Sequence, residues 1–176
     1  MHRVLIRDAR MPEEVPIVRE LFEEYAASLD VDLCFQNFAR ELAELPGAYS
    51  SPGGCLLLAD EDGQRVLGCI ALRSLAGPDA TIGEVKRLYL RPQARGAGVG
   101  RALATAVIAR ARAAGYERLK LDTLSTMTQA RRLYTTLGFR ECAPYYANPL
   151  PDVTYMTLEL AHPPVRHAEG SHDVEC

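Results

Sequence analysis

The run Arg95-Gly96-Ala97-Gly98-Val99-Gly100 sets three glycines between an extended apolar segment, residues 81–90, and a helical stripe of Val99, Leu103, Val107 and Ala111. Pro92 closes the extended segment, and Gly115 lies beyond the stripe. Glycine has no Cβ, so this junction can turn tightly, bring bare backbone close to a ligand and expose successive N–H groups. The helix behind it adds N-terminal donors without intrahelical acceptors and the positive end of a dipole. The combination favours a phosphate-rich ligand, with Arg95 as an added positive charge; a tightly packed turn is the purely structural reading of the same residues. Two phosphate-binding patterns do not fit. A P-loop requires Lys followed by Ser or Thr, where this chain has Val99-Gly100-Arg101-Ala102. A dinucleotide fingerprint follows the first strand of a β-α-β unit, whereas these glycines follow the fourth predicted strand.

Upstream of the junction, Val4 to Ile6 predict a short strand, and residues 12–28 carry Val15, Val18, Leu21, Phe22 and Tyr25 at helical spacing. A second helical pattern runs through Phe35, Phe38, Leu42 and Leu45 and stops at Pro46-Gly47. Residues 55–59 and 66–72 predict a hairpin around Asp60-Glu61-Asp62-Gly63, and a turn at Gly77-Pro78-Asp79 leads into the fourth strand. Downstream, residues 119–124 predict a strand and a helix starts near Met127. Gly138 terminates that helix, and Phe139 leads into a strand. Val153 to Leu160 close the pattern, with Met156, Leu158 and Leu160 on one face. The order β-α-α-β-β-β-α-β-α-β-β describes an α/β chain with a mixed sheet and helices on its faces. Residues 1–160 form one domain in this reading, and residues 161–176 a flexible C-terminal tail.

The 176 residues are 48% hydrophobic and 24% charged, enough to build a core and too apolar for a disordered chain. With 20 basic and 23 acidic side chains, the net charge of −3 gives no global attraction to nucleic acid. MHRVLIRDAR becomes charged too early for a signal peptide, and no stretch approaches the roughly 20 apolar residues of a membrane span. The five cysteines are scattered without C-x-x-C spacing, which favours reduced thiols, a cytoplasmic location and no metal site. His2, His162, His167 and His172 all lie near the termini, so the interior chemistry must use other groups.

At this point the chain resembles the GNAT superfamily of N-acetyltransferases. The resemblance rests on Arg-x-x-Gly-x-Gly at residues 95–100, following Glu84-Val85-Lys86-Arg87-Leu88-Tyr89-Leu90. It continues through Leu119-Lys120-Leu121-Asp122-Thr123, Ala130-Arg131-Arg132-Leu133-Tyr134 and Leu137-Gly138-Phe139. It implies an acyl-CoA N-acyltransferase-like fold and acetyl-coenzyme A as acetyl donor, with no metal. In the family the glycine loop holds the donor's pyrophosphate. That assigns the backbone of Gly96, Ala97, Gly98, Val99 and Gly100, with Arg95, to donor binding. The backbone of Leu88, Tyr89 and Leu90 is assigned to the pantetheine arm, where the fourth and fifth strands splay apart. The resemblance also makes a homodimer a reasonable expectation.

Acetyl transfer to an amine needs a proton acceptor for the amine, stabilisation of the oxyanion and a proton donor for the departing thiolate. The resemblance places Tyr134 on the sulfur-facing helix as the leaving-group acid; covering the sheet is its structural alternative. Met127 departs from the asparagine that many relatives carry at that helix start. Glu84 resembles the general base of several relatives, acting directly or through water. Simple alternation puts it on one face with Lys86, Leu88 and Leu90, unless a bulge resets the pattern, and an ion pair with Lys86 is the competing role. The acceptor side draws on Tyr25 and Phe35 early and on Tyr145 and Tyr146 late. These residues suit a cationic amine, with a small molecule favoured and a protein amine as the other possibility. The alternative functions are a non-catalytic acyl-coenzyme A sensor and a protein-interaction module.

Overall fold

The computed structural model describes residues 3–29, 32–34, 37–75 and 81–160. Phe35, the turn at residues 77–79, the terminal histidines and the tail at 161–176 lie outside the described residues. The elements are β1 (Val4–Asp8), α1 (Val15–Ala27), α2 (Phe38–Ala43), β2 (Cys55–Glu61), β3 (Arg65–Ser74), β4 (Ile82–Leu90) and α3 (Val99–Ala113). They continue with β5 (Arg118–Leu124), α4 (Thr128–Thr136), β6 (Arg140–Cys142) and β7 (Val153–Glu159). This order matches the sequence reading. The two early helices are shorter than their apolar patterns. Pro16 sits in the first turn of α1, where its missing N–H costs nothing, and residues 12–14 form a turn ahead of it. Beyond α2 the chain tightens into a 3₁₀ turn at Gly47–Tyr49.

The seven strands form one sheet in the order β1-β2-β3-β4-β5-β7-β6. Every pairing is antiparallel except that of β4 with β5. That parallel ladder is brief: Ile82, Gly83 and Glu84 pair with Arg118, Leu119 and Lys120. Beyond Glu84 the two strands diverge, although β4 continues to Leu90 and β5 to Leu124. The divergence opens a cleft between residues 85–88 and 121–124.

A bulge accompanies the divergence. Cys69 and Ala71 of β3 face Tyr89 and Lys86 of β4, so β4 carries one residue more than its partner. Arg87 takes the left-handed conformation there, with φ 59°. The bulge resets the alternation that would place Glu84 and Lys86 with Leu88 and Leu90. Val85, Leu88 and Leu90 instead pack on the α3–α4 face, and Tyr89 turns to the α1 face.

Two apolar layers hold the sheet. On one side Val99, Leu103, Val107 and Ala111 of α3 and Tyr134 of α4 pack on Leu57, Ile70, Leu72, Leu119 and Leu121. On the other, Val18, Leu21 and Phe22 of α1 cover Leu56, Leu58, Cys69 and Ala71. Leu103 is completely buried, so Leu103→Ala should cost about 2–5 kcal/mol. No helix among the described residues is long and apolar enough to cross a membrane.

Candidate active site

The cleft has two ends, and different physics builds each. At the glycine end, a 3₁₀ turn at Pro92–Ala94 carries the chain from β4 to the loop. Gly96 and Gly98 have φ of +80° and +78°, and a Cβ at either would meet no atom within 4 Å. Backbone conformation, rather than crowding, therefore demands glycine there. At Gly100 the constraint is contact, because a Cβ would lie 3.3 Å from the Leu90 side chain. Gly98 caps α3 without a side-chain bond, and the first helical bond runs from the Ala102 N–H to the Gly98 carbonyl at 3.1 Å. The N–H groups of Val99, Gly100 and Arg101 ahead of it have no intrahelical acceptor. Residues 95–98 are exposed, and buried Ala94 and Val99 anchor the loop on its two flanks. Arg95 is steadied by its Nε donating to the Leu90 carbonyl at 3.1 Å. The arrangement can hold an anion at the head of a fifteen-residue helix.

Leu88 lines the cleft, Leu90 packs against Gly100, and Tyr89 lies on the opposite face with its ring 6.4 Å from that of Tyr25. The β4 backbone from Val85 onward is no longer paired with β5. Tyr134 is 5% exposed, stands edge-on to Phe139 at 5.3 Å and lines the cleft opposite Leu88. Its hydroxyl makes no hydrogen bond to a described residue. Burial, with the nearby Tyr25 and Asp122, pushes its pKa well above the ordinary phenol value, so it stays protonated at neutral pH. Met127 precedes α4, lines the same cleft, and accepts a weak contact from the Thr123 hydroxyl at 3.7 Å.

The other end is a buried network of charges and tyrosines. Glu84, 1% exposed, accepts Arg73 Nε at 2.7 Å on Oε2 and the Tyr145 hydroxyl at 2.9 Å on Oε1. Asp122 accepts Lys86 Nζ at 3.0 Å on Oδ1 and the Tyr146 hydroxyl at 2.8 Å on Oδ2. Lys86 Nζ also lies 3.7 Å from Glu84 Oε1, so it bridges the two carboxylates. Consecutive tyrosines of the β6–β7 loop are thus planted on carboxylates of neighbouring strands, with Tyr155 packed against both rings at 5.4 and 5.8 Å. Burial tends to raise the Asp122 pKa, but Lys86, the Tyr146 hydroxyl and Arg87 outweigh it and hold the carboxyl below its usual range. Burial also drives Tyr145 and Tyr146 upward, reinforced by the adjacent carboxylates, so both remain phenols.

Arg87, at the bulge, reaches α2. Its Nε and Nη2 donate to Glu41 at 3.0 and 2.5 Å, while its guanidinium lies 5.2 Å from the Phe38 ring centre and 5.7 Å from that of Tyr25. Glu41 also accepts the Tyr49 hydroxyl at 2.6 Å. No residue of α2 is fully buried, so these polar anchors hold a helix that apolar packing alone would not.

The sequence reading did not assign Asp122, Arg87, Glu41 or Arg73 to the site. Asp122 carried a signal: Lys120 and Asp122 alternate with buried Leu119 and Leu121 on a central strand, a polar face where coverage on both sides is expected. Arg87 and Glu41 carried none, because their pairing spans 46 residues. Among the described residues no group of three or more His, Cys, Asp or Glu is placed to hold a metal.

A mixed sheet splayed at its parallel pair, with a glycine cradle at a helix head and a phenol across the cleft, defines the acyl-coenzyme A-dependent N-acyltransferase class. Residues 16–139 match the model of the acetyltransferase (GNAT) family. An uncharacterized N-acetyltransferase of Schizosaccharomyces pombe is 38% identical over 158 residues, covering 90% of this chain and 96% of that protein. One from Dictyostelium discoideum is 30% identical over 207 residues, covering 84% and 95%. A Salmonella typhimurium structure solved with its cofactor acetyl-CoA superimposes with a TM-score of 0.71 at 22% identity, over 94% of this chain and 98% of that one. The chain belongs to the GNAT acetyltransferase family and is an acetyl-coenzyme A-dependent N-acetyltransferase.

Proposed function

We propose that the enzyme transfers the acetyl group of acetyl-coenzyme A directly to a primary amine of a small molecule. The observation that carries this reading is the cleft itself, where unpaired β4 backbone and the protonated Tyr134 hydroxyl face one space. Acetyl-coenzyme A, when bound, supplies an acyl carbon activated as a thioester. The N–H groups of residues 96–100 bind its pyrophosphate, with Arg95 at the rim, and the free edge of residues 88–90 takes the amide-bearing arm. Tyr134 gives its proton to the departing thiolate.

Glu84 serves as the terminal acceptor of the amine's proton. Its Oε1 already takes a hydrogen bond from Tyr145, and it sits at the last paired residue of β4, one step behind the cleft wall. The proton reaches it through an intervening hydroxyl or water. Tyr25, Tyr145 and Tyr146 shape the acceptor side.

The test is a panel of amines incubated with purified protein and acetyl-coenzyme A, with acetylated products detected by mass. Acetylated small amines are the expected result. Donor binding without transfer to any amine would favour a sensor instead.

A further inference from the structure

The two carboxylates at the mouth of the splay differ in what they face. Glu84 is closed off by Arg73 and Tyr145 and does not line the cleft. Asp122 lines it, on the β5 wall, together with Tyr134, Tyr25, Lys86, Arg87 and Asn148. Leu29, Leu33, Leu150 and Val153 line the same cavity as Asp122. The cavity is small, about 50 Å³. A carboxylate among apolar side chains in a small cavity is an arrangement that an alkylammonium group fits.

Building on the acetyl-transfer reading, we propose that Asp122 binds the ammonium of the incoming acceptor, and that Lys86 occupies that position until the acceptor arrives. Lys86 Nζ is 3.0 Å from Asp122 and 3.7 Å from Glu84, so a small rotation moves it from one carboxylate to the other. The acceptor adds one positive charge to this group, its ammonium pairing with Asp122 while Lys86 shifts toward Glu84, which Arg73 already pairs. Arg87 acts on Asp122 through its field while its guanidinium is held by Glu41 between the rings of Phe38 and Tyr25. The acceptor class that follows is an aliphatic primary amine, cationic at neutral pH, on an unbranched alkyl stem. An arylamine, neutral at that pH, gains nothing from Asp122.

The experiment measures transfer to n-pentylamine and to aniline by the wild type, Asp122→Asn and Lys86→Met, with the acetyl-coenzyme A dissociation constant of each. A charge-assisted hydrogen bond of this kind corresponds to roughly 10–100-fold in affinity. The wild type should prefer pentylamine. Asp122→Asn should raise the pentylamine KM by about that factor and erase the preference, with donor affinity unchanged. Lys86→Met should move the pentylamine KM the other way, downward, because the resident competitor is gone. Structural damage would raise KM in both variants, so the opposite signs separate binding from misfolding. An unchanged pentylamine KM in Asp122→Asn, or a raised one in Lys86→Met, overturns the proposal while wild-type transfer leaves the acetyltransferase reading intact. No transfer to pentylamine by the wild type, with acetylation of another amine in the wider panel, overturns this proposal alone; no acetylated amine anywhere in the panel overturns the acceptor reading as well.

Discussion

The glycine end and the acceptor end of the cleft lie along the same two strands but are built in opposite ways. Between Arg95 and Arg101 the atoms proposed to bind the donor are backbone N–H groups, and the conformation that presents them follows from the local sequence. Gly96 and Gly98 supply the positive φ angles, and Val99 fixes the loop to the core. At the proposed acceptor end the candidate groups are side chains from β3, β4, β5, α2 and the β6–β7 loop. They are held by ion pairs and hydrogen bonds between residues as far apart as Arg87 and Glu41 or Glu84 and Tyr145. A local device tolerates change elsewhere in the chain. A network does not, because removing one member leaves another charge buried without its partner.

That contrast can be broken most sharply at Arg87. Arg87→Met leaves Glu41 with a buried carboxylate and should lower unfolding free energy by about 3 kcal/mol in denaturant titration. Acetyl-coenzyme A affinity should stay unchanged, and a comparable loss of donor affinity would mean that the two ends are one coupled unit.

Tyr134→Phe comes next. It keeps the ring on Phe139 and removes the proton, and single-turnover transfer should slow by about 10²-fold. Folding and donor binding should be preserved, and a normal single-turnover rate would remove Tyr134 from the chemistry.

Gly98→Asp tests the local end. Its Cβ meets no atom, but a carboxylate appears beside the anion cradle, so calorimetric titration should show donor affinity weakened by about tenfold or more. Aspartate tolerates the left-handed conformation better than most residues, so the fold should persist.

The smallest effect belongs to neither end. Arg7 grips Glu14 at 2.8 Å, and this pairing holds the Glu14 carboxyl down at about 2 from an ordinary 4.5. Because the folded value is the lower one, the pair stabilises the fold above pH 4.5, and the contribution disappears as pH falls through about 2. Glu14→Gln should therefore cost about 1 kcal/mol at neutral pH, discounted for solvent, and progressively less on acidification. Donor and acceptor constants should not move. If either moves, the amino-terminal turn belongs to the site.

How much of this was readable beforehand follows the same division. The element order, the glycine junction, the helix stop at Gly138 and the cleft position of Tyr134 were available from the sequence. The first three follow from period and turn chemistry, and the last was implied by the family resemblance. Alternation failed at one place, between Lys86 and Leu88, where the bulge moved Leu88 and Leu90 to the face opposite Glu84. Nothing near Arg87 announces it. A non-glycine residue in the left-handed region is locally unfavourable by about 1–2 kcal/mol, and Glu41, Phe38 and Tyr25 hold it there from other elements. Asp122 was passed over because its neighbours in the chain show only a polar strand face. Lys86 from β4 and Tyr146 from a loop 24 residues away draw it into the network.

The sequence by itself determined the periodicities and the glycines and therefore the individual strands, the helices and the glycine turn, since each depends on residues a few positions apart. Which carboxylate faces the cleft, which cation neutralises it and which tyrosines close over it were decided only by the tertiary structure. Those choices depend on where β4 and β5 part and where β4 bulges, and both are set by pairing between strands distant in the chain.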